Sequence, residues 1–268
     1  MKQMRIDRLY LEVTRNCTLE CEHCLRGNKE IKDMDVLTLE NSLKDVEEIN
    51  TLLLTGGEPL LNIKVLKALP KIIKKYNIKI NNISISTNGT VESIEHIKAL
   101  KLISESCNYF DLILSSDLFH RLEWSRLNIK DRVENNYKIY QQFFPMRKFL
   151  DNDSFNSVVL SLSGRAKQLT NERLKELKRK YYITYKFDSE SEEYLISRNG
   201  NRVNGKLYIN VYGNVTPYDV SFSEEDDCYN SKQNVNEKSL ESILNEIDNQ
   251  ELKKYARMRI RNNINVQN

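Results

Sequence analysis

No apolar run in the sequence approaches the roughly 20 residues that a membrane-crossing helix needs. The opening stretch from Met1 to Arg8 also lacks the apolar centre of a secretory signal, so a membrane anchor is not expected and the chain is placed in the cytoplasm. Nor is there a marked excess of one charge: 41 Lys and Arg stand against 38 Asp and Glu, a formal +3. The signs alternate through most of the chain, which gives no field to steer nucleic acid. The one basic stretch, from Lys253 through Arg257, Arg259 and Arg261, reads as the solvated face of a last helix. Five cysteines in 268 residues are too few for a disulfide scaffold, which implies a reducing setting. Internal repeats and low-complexity linkers are missing too. With 40% hydrophobic and 29% charged residues, the composition fits a soluble globular enzyme with one substantial core and at most a modest appendage.

What is present is an alternation of short apolar runs with helical patterns. Strands are expected over Ile6–Val13, Thr51–Thr55, Lys79–Ser86, Tyr109–Ser115, Ser157–Leu162 and Tyr182–Phe187. Between them, helical spacing is expected over Leu37–Ile49, Ile63–Lys75, Val91–Ser104, His120–Phe143 and Leu169–Lys180. Nearly continuous apolar strands separated by helices favour a parallel sheet covered by helices. Six such steps without an evident reversal predict an α/β fold of the partial (β/α)6 TIM-like barrel type. Polar residues cluster after successive strands, at Cys17–Cys24, Gly56–Pro59, Ser86–Gly89, Ser116–His120 and Ser163–Arg165. In a barrel these ends share one rim, where the fold places chemistry. The rhythm changes near residue 190, which divides the chain into a 1–190 barrel and a 191–268 C-terminal α+β cap. That cap opens with a hairpin turning at Gly213 and Asn214 and continues into a helix through Leu240, Ile243, Leu244 and Ile247 and a second through Leu252 and Tyr255.

Cys17, Cys21 and Cys24 have the spacing C-x3-C-x2-C in the loop after the first strand. Thiolates at this density suit zinc or iron rather than magnesium or calcium. A structural zinc needs a fourth ligand, for which His23 or a distant residue must serve. Three cysteines on a cubane cluster instead leave one iron open to a non-protein ligand.

The segment C17-T-L-E-C21-E-H-C24 resembles the defining motif of the radical SAM enzyme superfamily. The resemblance implies one [4Fe-4S] cluster whose open iron is chelated by S-adenosylmethionine, with reductive cleavage to a 5′-deoxyadenosyl radical that abstracts hydrogen from substrate. It assigns His23 to the adenine side of the cofactor. Gly56-Gly57-Glu58-Pro59 resembles the family's segment for the methionyl amino group: glycines permit close backbone approach, and Glu58 supplies negative charge opposite an ammonium. Ser86, Asn88 and Gly89 resemble the strand end that contacts the ribose and carboxylate, with a helix-capping turn as the alternative. Ser161, Ser163, Gly164 and Arg165 resemble a further cofactor-contacting segment, in which Arg165 pairs either with the methionyl carboxylate or with an external acid.

Asp117 and His120 are candidates to orient substrate or relay a proton, and Asp117 is equally suited to cap a helix. The hairpin around Leu207–Tyr218 resembles the cap of peptide-modifying maturases, but Tyr218 stands where those caps carry a cysteine. A cap without an auxiliary cluster is therefore expected. The isolated Cys228 becomes a candidate hydrogen donor, with Cys107 as its rival and an ordinary free cysteine as the alternative. The expected activity is modification of a ribosomal peptide or protein side chain, by cross-linking or epimerisation, with a flavodoxin- or ferredoxin-like electron donor. A small metabolite or nucleotide precursor is the alternative substrate, and a non-enzymatic metal-binding interaction protein is the third reading.

Overall fold

The structure, a computed structural model, describes residues 4–24, 26–149, 159–160, 164–181, 184–185, 197–216 and 233–246. In chain order the elements are β1 (Met4–Thr14), α1 (Val36–Leu43), β2 (Val46–Gly56), α2 (Ile63–Tyr76), β3 (Lys79–Thr87), α3 (Ile94–Ser104), β4 (Tyr109–Ser115), α4 (Leu118–Arg126), α5 (Lys130–Gln141) and β5 (Met146–Phe149). They are followed by β6 (Val159–Leu160), α6 (Asn171–Tyr181), β7 (Thr184–Tyr185), β8 (Ser197–Asn199), β9 (Arg202–Ile209), β10 (Val215–Thr216) and α7 (Leu240–Glu246). The main sheet runs in the order β10-β9-β1-β2-β3-β4-β5, and β6 pairs with β7 separately.

From β9 through β1 to β5 every neighbouring pair is parallel. The strands β1 to β5 lie in sequence order, without the reversal that marks a doubly wound sheet. This is the expected partial barrel. Alternation along each strand sorts the side chains. Leu9, Leu11, Leu52, Leu54, Ile83, Ile85 and Leu112 are buried in one apolar core with residues of α1, α2 and α3, each contributing about 2 kcal/mol. The opposite face carries Tyr10, Glu12, Thr55, Ser84, Ser86 and Asp111 beside Leu53 and Ile113, a mixed lining more polar than the branched apolar layers that fill a closed barrel. Helix starts are fixed locally: Asp35 accepts from the Thr38 amide at 2.6 Å, and Asn62 accepts from Val65 at 3.2 Å while donating to the Val13 and Met34 carbonyls.

Several sequence expectations are corrected. The helix expected over Leu37–Ile49 stops at Leu43, because Val46 and Ile49 belong to β2 and pair with Met4 and Ile6. Their three-residue spacing imitates a helix although both are β-branched. The helix expected over His120–Phe143 is two helices, parted where Asn128 adopts a left-handed φ of 54°. The segment after Pro145, expected as a loop, holds β5, which pairs in parallel with β4.

The expected hairpin is present as β9 and β10. Beyond forming that hairpin, β9 extends the main sheet by pairing in parallel with β1. Among the described residues, no helix is long and apolar enough to cross a membrane.

Candidate active site

The cysteine loop leaves β1 and returns to it. The Arg15 amide donates to the Lys32 carbonyl at 2.8 Å, and Met34 donates to Val13 at 2.9 Å. Within this stem Cys21 is buried, and Cys17 and Cys24 are half-buried. The Cys24 amide donates to the Cys21 carbonyl at 3.1 Å. Leu19 and Cys21 pack against Phe119, Trp124, Ala166 and Leu177, an apolar wall that keeps water from one side of the thiols.

Burial pushes the Cys17 thiol up to about 11, with a smaller lowering by the Leu19 amide and further raising by Glu58 and Cys24. Burial raises Cys21 further still, followed by Asp117 and by the charges of Cys17 and Cys24. Negative charge on the neighbouring cysteines adds to this raising at both Cys17 and Cys21. Burial thus disfavours the thiolates of Cys17 and Cys21 unless a bound cation compensates them, as a thiophilic metal does for its ligands.

The second strand end lies directly against this loop. A Cβ on Gly56 would sit 2.2 Å from the Thr14 carbonyl oxygen, and one on Gly57 2.2 Å from that of Asn16. Only glycine allows the approach, which is secured by Gly57 donating to Thr14 at 2.8 Å and Glu58 to Asn16 at 2.9 Å. Pro59 is buried and opens a short 3-10 turn. Glu58 is wholly buried: Oε1 accepts from Leu60 N at 3.1 Å and Thr87 Oγ1 at 2.9 Å, and Oε2 from Asn88 N at 2.6 Å. Burial raises its carboxyl to about 7 despite these donors. Glu58 therefore ties the end of β2 to that of β3, a structural task beyond the charge expected of it.

Asn88 carries the link onward. Its Nδ2 donates to Cys17 Sγ at 3.5 Å and Thr18 Oγ1 at 3.0 Å, and Oδ1 accepts from Thr90. Ser86 is half-buried on β3. After β4, Asp117 takes the capping role and also holds His120. It caps α4 by accepting from Phe119 N at 2.9 Å and His120 N at 3.2 Å, and Oδ2 accepts from His120 Nδ1 at 2.6 Å. Burial alone would raise its carboxyl, but hydrogen bonds and charge from His120 and His23 hold it well below the usual carboxylate range.

His23 stacks on Phe119 with centroids 4.5 Å apart, and its Nε2 lies 3.4 Å from Asp117 Oδ1. The buried Nδ1 of His23 has no partner among the described residues. Ligating atoms of His23, Asp117 and His120 all lie within 4.8 Å of one another. Both Asp117 oxygens already accept N–H donors, so the group is a hydrogen-bonded triad rather than a ready metal centre. Arg165 also reaches the loop, donating its amide to the Cys24 carbonyl and Nε to the Cys21 carbonyl, each at 3.0 Å.

Thus Cys17, Cys21, Cys24, His23, Gly56, Gly57, Glu58, Pro59, Asn88, Asp117, His120 and Arg165 converge, while Ser161, Ser163 and Cys228 fall outside the described residues. Cys107 is corrected: it precedes Tyr109 at the start of β4, the opposite end from the site, where its thiol donates to the Tyr109 carbonyl at 3.1 Å. The sequence reading missed Thr18 and Thr87, whose ordinary types give no signal, Glu123, which accepts from the Glu20 amide of the cysteine loop at 3.3 Å, and Glu12, which did give a signal. A carboxylate between Leu11 and Val13 inside a buried strand requires a partner.

Residues 11–116 match the model of the Radical SAM superfamily. Over this segment the chain is similar to that superfamily. Around it the likenesses are partial. The chain is 36% identical over 104 residues to the uncharacterized protein MJ0907 of Methanocaldococcus jannaschii, a match over 35% of each chain. It is 36% identical over 91 residues to a GTP 3′,8-cyclase of Clostridium acetobutylicum, over 31% of this chain and 28% of the relative. These matches span about a third of the relatives' lengths. Among solved structures, anSMEcpe with bound AdoMet and Cp18Cys peptide superposes with a TM-score of 0.56 at 16% identity, over 96% of this chain and 84% of that one, a likeness of fold. The spacing of three cysteines in one loop and the orphaned His23 nitrogen fit the radical SAM pair of a [4Fe-4S] cluster and S-adenosylmethionine.

Proposed function

We propose that this chain is a radical SAM enzyme that modifies a peptide or protein side chain. The observation that carries the reading is the convergence of the cysteine loop, Gly56–Pro59, Asn88 and the Asp117–His120 pair on one rim of a sequential parallel sheet. When bound, the cluster and S-adenosylmethionine supply reductive carbon–sulfur cleavage and a hydrogen-abstracting 5′-deoxyadenosyl radical.

The chain's own part is to hold, orient and shield. Cys17, Cys21 and Cys24 provide three thiolates. Gly56 and Gly57 let the end of β2 press against Thr14 and Asn16 at the base of the cysteine loop, Glu58 offers a buried carboxylate to the methionyl ammonium, and Asn88 fixes Cys17 from the side. Leu19, Phe119 and Trp124 exclude water. Because Asp117 accepts the proton of His120 Nδ1, Nε2 of His120 is the nitrogen left to take or give a proton at substrate. Cys228 remains the candidate hydrogen donor, and Ser86, Ser161 and Ser163 candidate cofactor contacts.

The peptide reading is supported by the fold shared with anSMEcpe, which holds a peptide. It keeps the division at residue 190, with a cap lacking an auxiliary cluster, and a flavodoxin- or ferredoxin-like reductant. The likeness to a GTP 3′,8-cyclase favours a second reading, a nucleotide substrate. Anaerobic turnover with peptide and nucleotide candidates, followed by mass spectrometry of products and of 5′-deoxyadenosine, separates the two. Product and 5′-deoxyadenosine rising together with nucleotides but not peptides would overturn the first reading.

A further inference from the structure

Glu12 is the one acidic side chain of β1 that the structure buries completely, and none of the chemistry above uses it. Two guanidinium groups converge on it from opposite flanks of the cysteine loop. Arg15, just before the triad, places Nε 3.4 Å from Oε2, and Arg26, just after it, places Nη1 3.4 Å from Oε1. A third donor comes from the far end of the sequence, where the Val211 amide reaches Oε2 at 3.3 Å.

The same hairpin grips both arginines again. Tyr208 on β9 accepts from Arg26 through its hydroxyl and places its ring 5.1 Å from the guanidinium carbon, while Arg26 Nη2 also donates to Thr55 at 3.0 Å. At the turn, the Tyr212 ring lies 5.1 Å from Arg15 and 5.0 Å from the Lys32 ammonium. Its hydroxyl donates to Glu30 at 3.1 Å, and Glu30 holds Arg15 at 3.0 Å.

We infer that Glu12, Arg15, Arg26, Tyr208 and Tyr212 form a clasp by which the C-terminal hairpin holds the cysteine loop in its ligating shape before any cluster is present. A buried carboxylate and two largely buried arginines are stable only together, since removing one strands the others without water. The clasp therefore closes as a unit. Two ends of one loop fixed to a single carboxylate restrict the thiols between them, which lowers the ordering needed when iron arrives. These are positioning residues. The inference rests on the reading that the loop carries the cluster.

The test uses the full chain with Glu12→Gln, Tyr208→Phe and Tyr212→Phe, the two phenylalanine variants each removing one hydroxyl and leaving the ring. Amide exchange over residues 16–26 in the metal-free chain is expected to quicken by about three- to tenfold, with α2 and β3 unchanged. Iron release from the reconstituted chain to a chelator is expected to quicken in step. Exchange at the parent rate in both phenylalanine variants, or faster exchange with unchanged iron release, overturns the clasp. If the parent takes up no iron, the cluster reading fails and the exchange arm alone decides whether the hairpin holds the loop.

Discussion

Replacing Glu58 with glutamine tests the most heavily constrained charge in the site. The carboxyl is fully buried, and burial moves it from 4.5 to about 7, a change worth about 3 kcal/mol between its two protonation states. The unfolded chain gives up this proton near 4.5 and the folded one near 7. Between those values the unfolded state binds fewer protons, so stability falls as pH rises and the full penalty is present above 7. In Glu58→Gln this decline is absent. The substitution has its own cost, because an amide nitrogen then faces either the Asn88 N–H or the Leu60 N–H, a clash of donors worth about 1–3 kcal/mol. At pH 8 the two effects nearly offset; at pH 5 the variant is the weaker by about the full donor clash. Urea unfolding of the metal-free chain across this range should show the difference between parent and variant shrinking by about 3 kcal/mol. An ammonium docked against Glu58 would draw its carboxyl back down, so S-adenosylmethionine should bind the reconstituted parent more tightly as pH rises through about 7. Parallel stability profiles would refute the buried-charge argument, and pH-independent binding would remove Glu58 from the cofactor's contacts.

Gly57→Ala forces a Cβ to within 2.2 Å of the Asn16 carbonyl; expected are a loss of several kcal/mol in thermal unfolding and poor iron uptake, and a parent-like variant would contradict the close approach. Asp117→Ala should cost about 1–2 kcal/mol through the lost cap, whereas Asp117→Asn, which keeps a capping oxygen, should stay within about 1 kcal/mol of the parent while product formation falls. Equal stability losses in the two would assign Asp117 to structure alone. For Cys228→Ala, turnover in deuterated solvent should yield 5′-deoxyadenosine with less deuterium in product; unchanged incorporation would remove Cys228 from the chemistry.

The parts legible in the sequence are those where local chemistry and global fold agree. The triad spacing and the glycine pair announce themselves because no ordinary loop needs three thiols or a carbonyl approach that excludes Cβ. Strands such as those around Leu52 and Leu54, and Ile83 and Ile85, are legible because these side chains sit in the core that the helices cover. Val46 and Ile49 misled because a three-residue interval serves a helix face and, across an irregular strand start, a buried strand equally well. The break at Asn128 was hidden because asparagine enters the left-handed region without the glycine that usually marks it. Long-range ties were the least legible. Nothing near Glu12 in sequence predicts Val211, and Glu58 reads as a free charge until Thr87 and Asn88 arrive from another strand.

The central claim is tested most directly by anaerobic reconstitution of the parent and of Cys17→Ala, Cys21→Ala and Cys24→Ala, with iron, sulfide and zinc measured before reduction in the presence of S-adenosylmethionine. The account predicts about four irons and four sulfides per parent chain and 5′-deoxyadenosine from the parent but from none of the three variants. A parent that holds zinc tightly and takes up no iron, or variants that still form 5′-deoxyadenosine at the parent's rate, would contradict it.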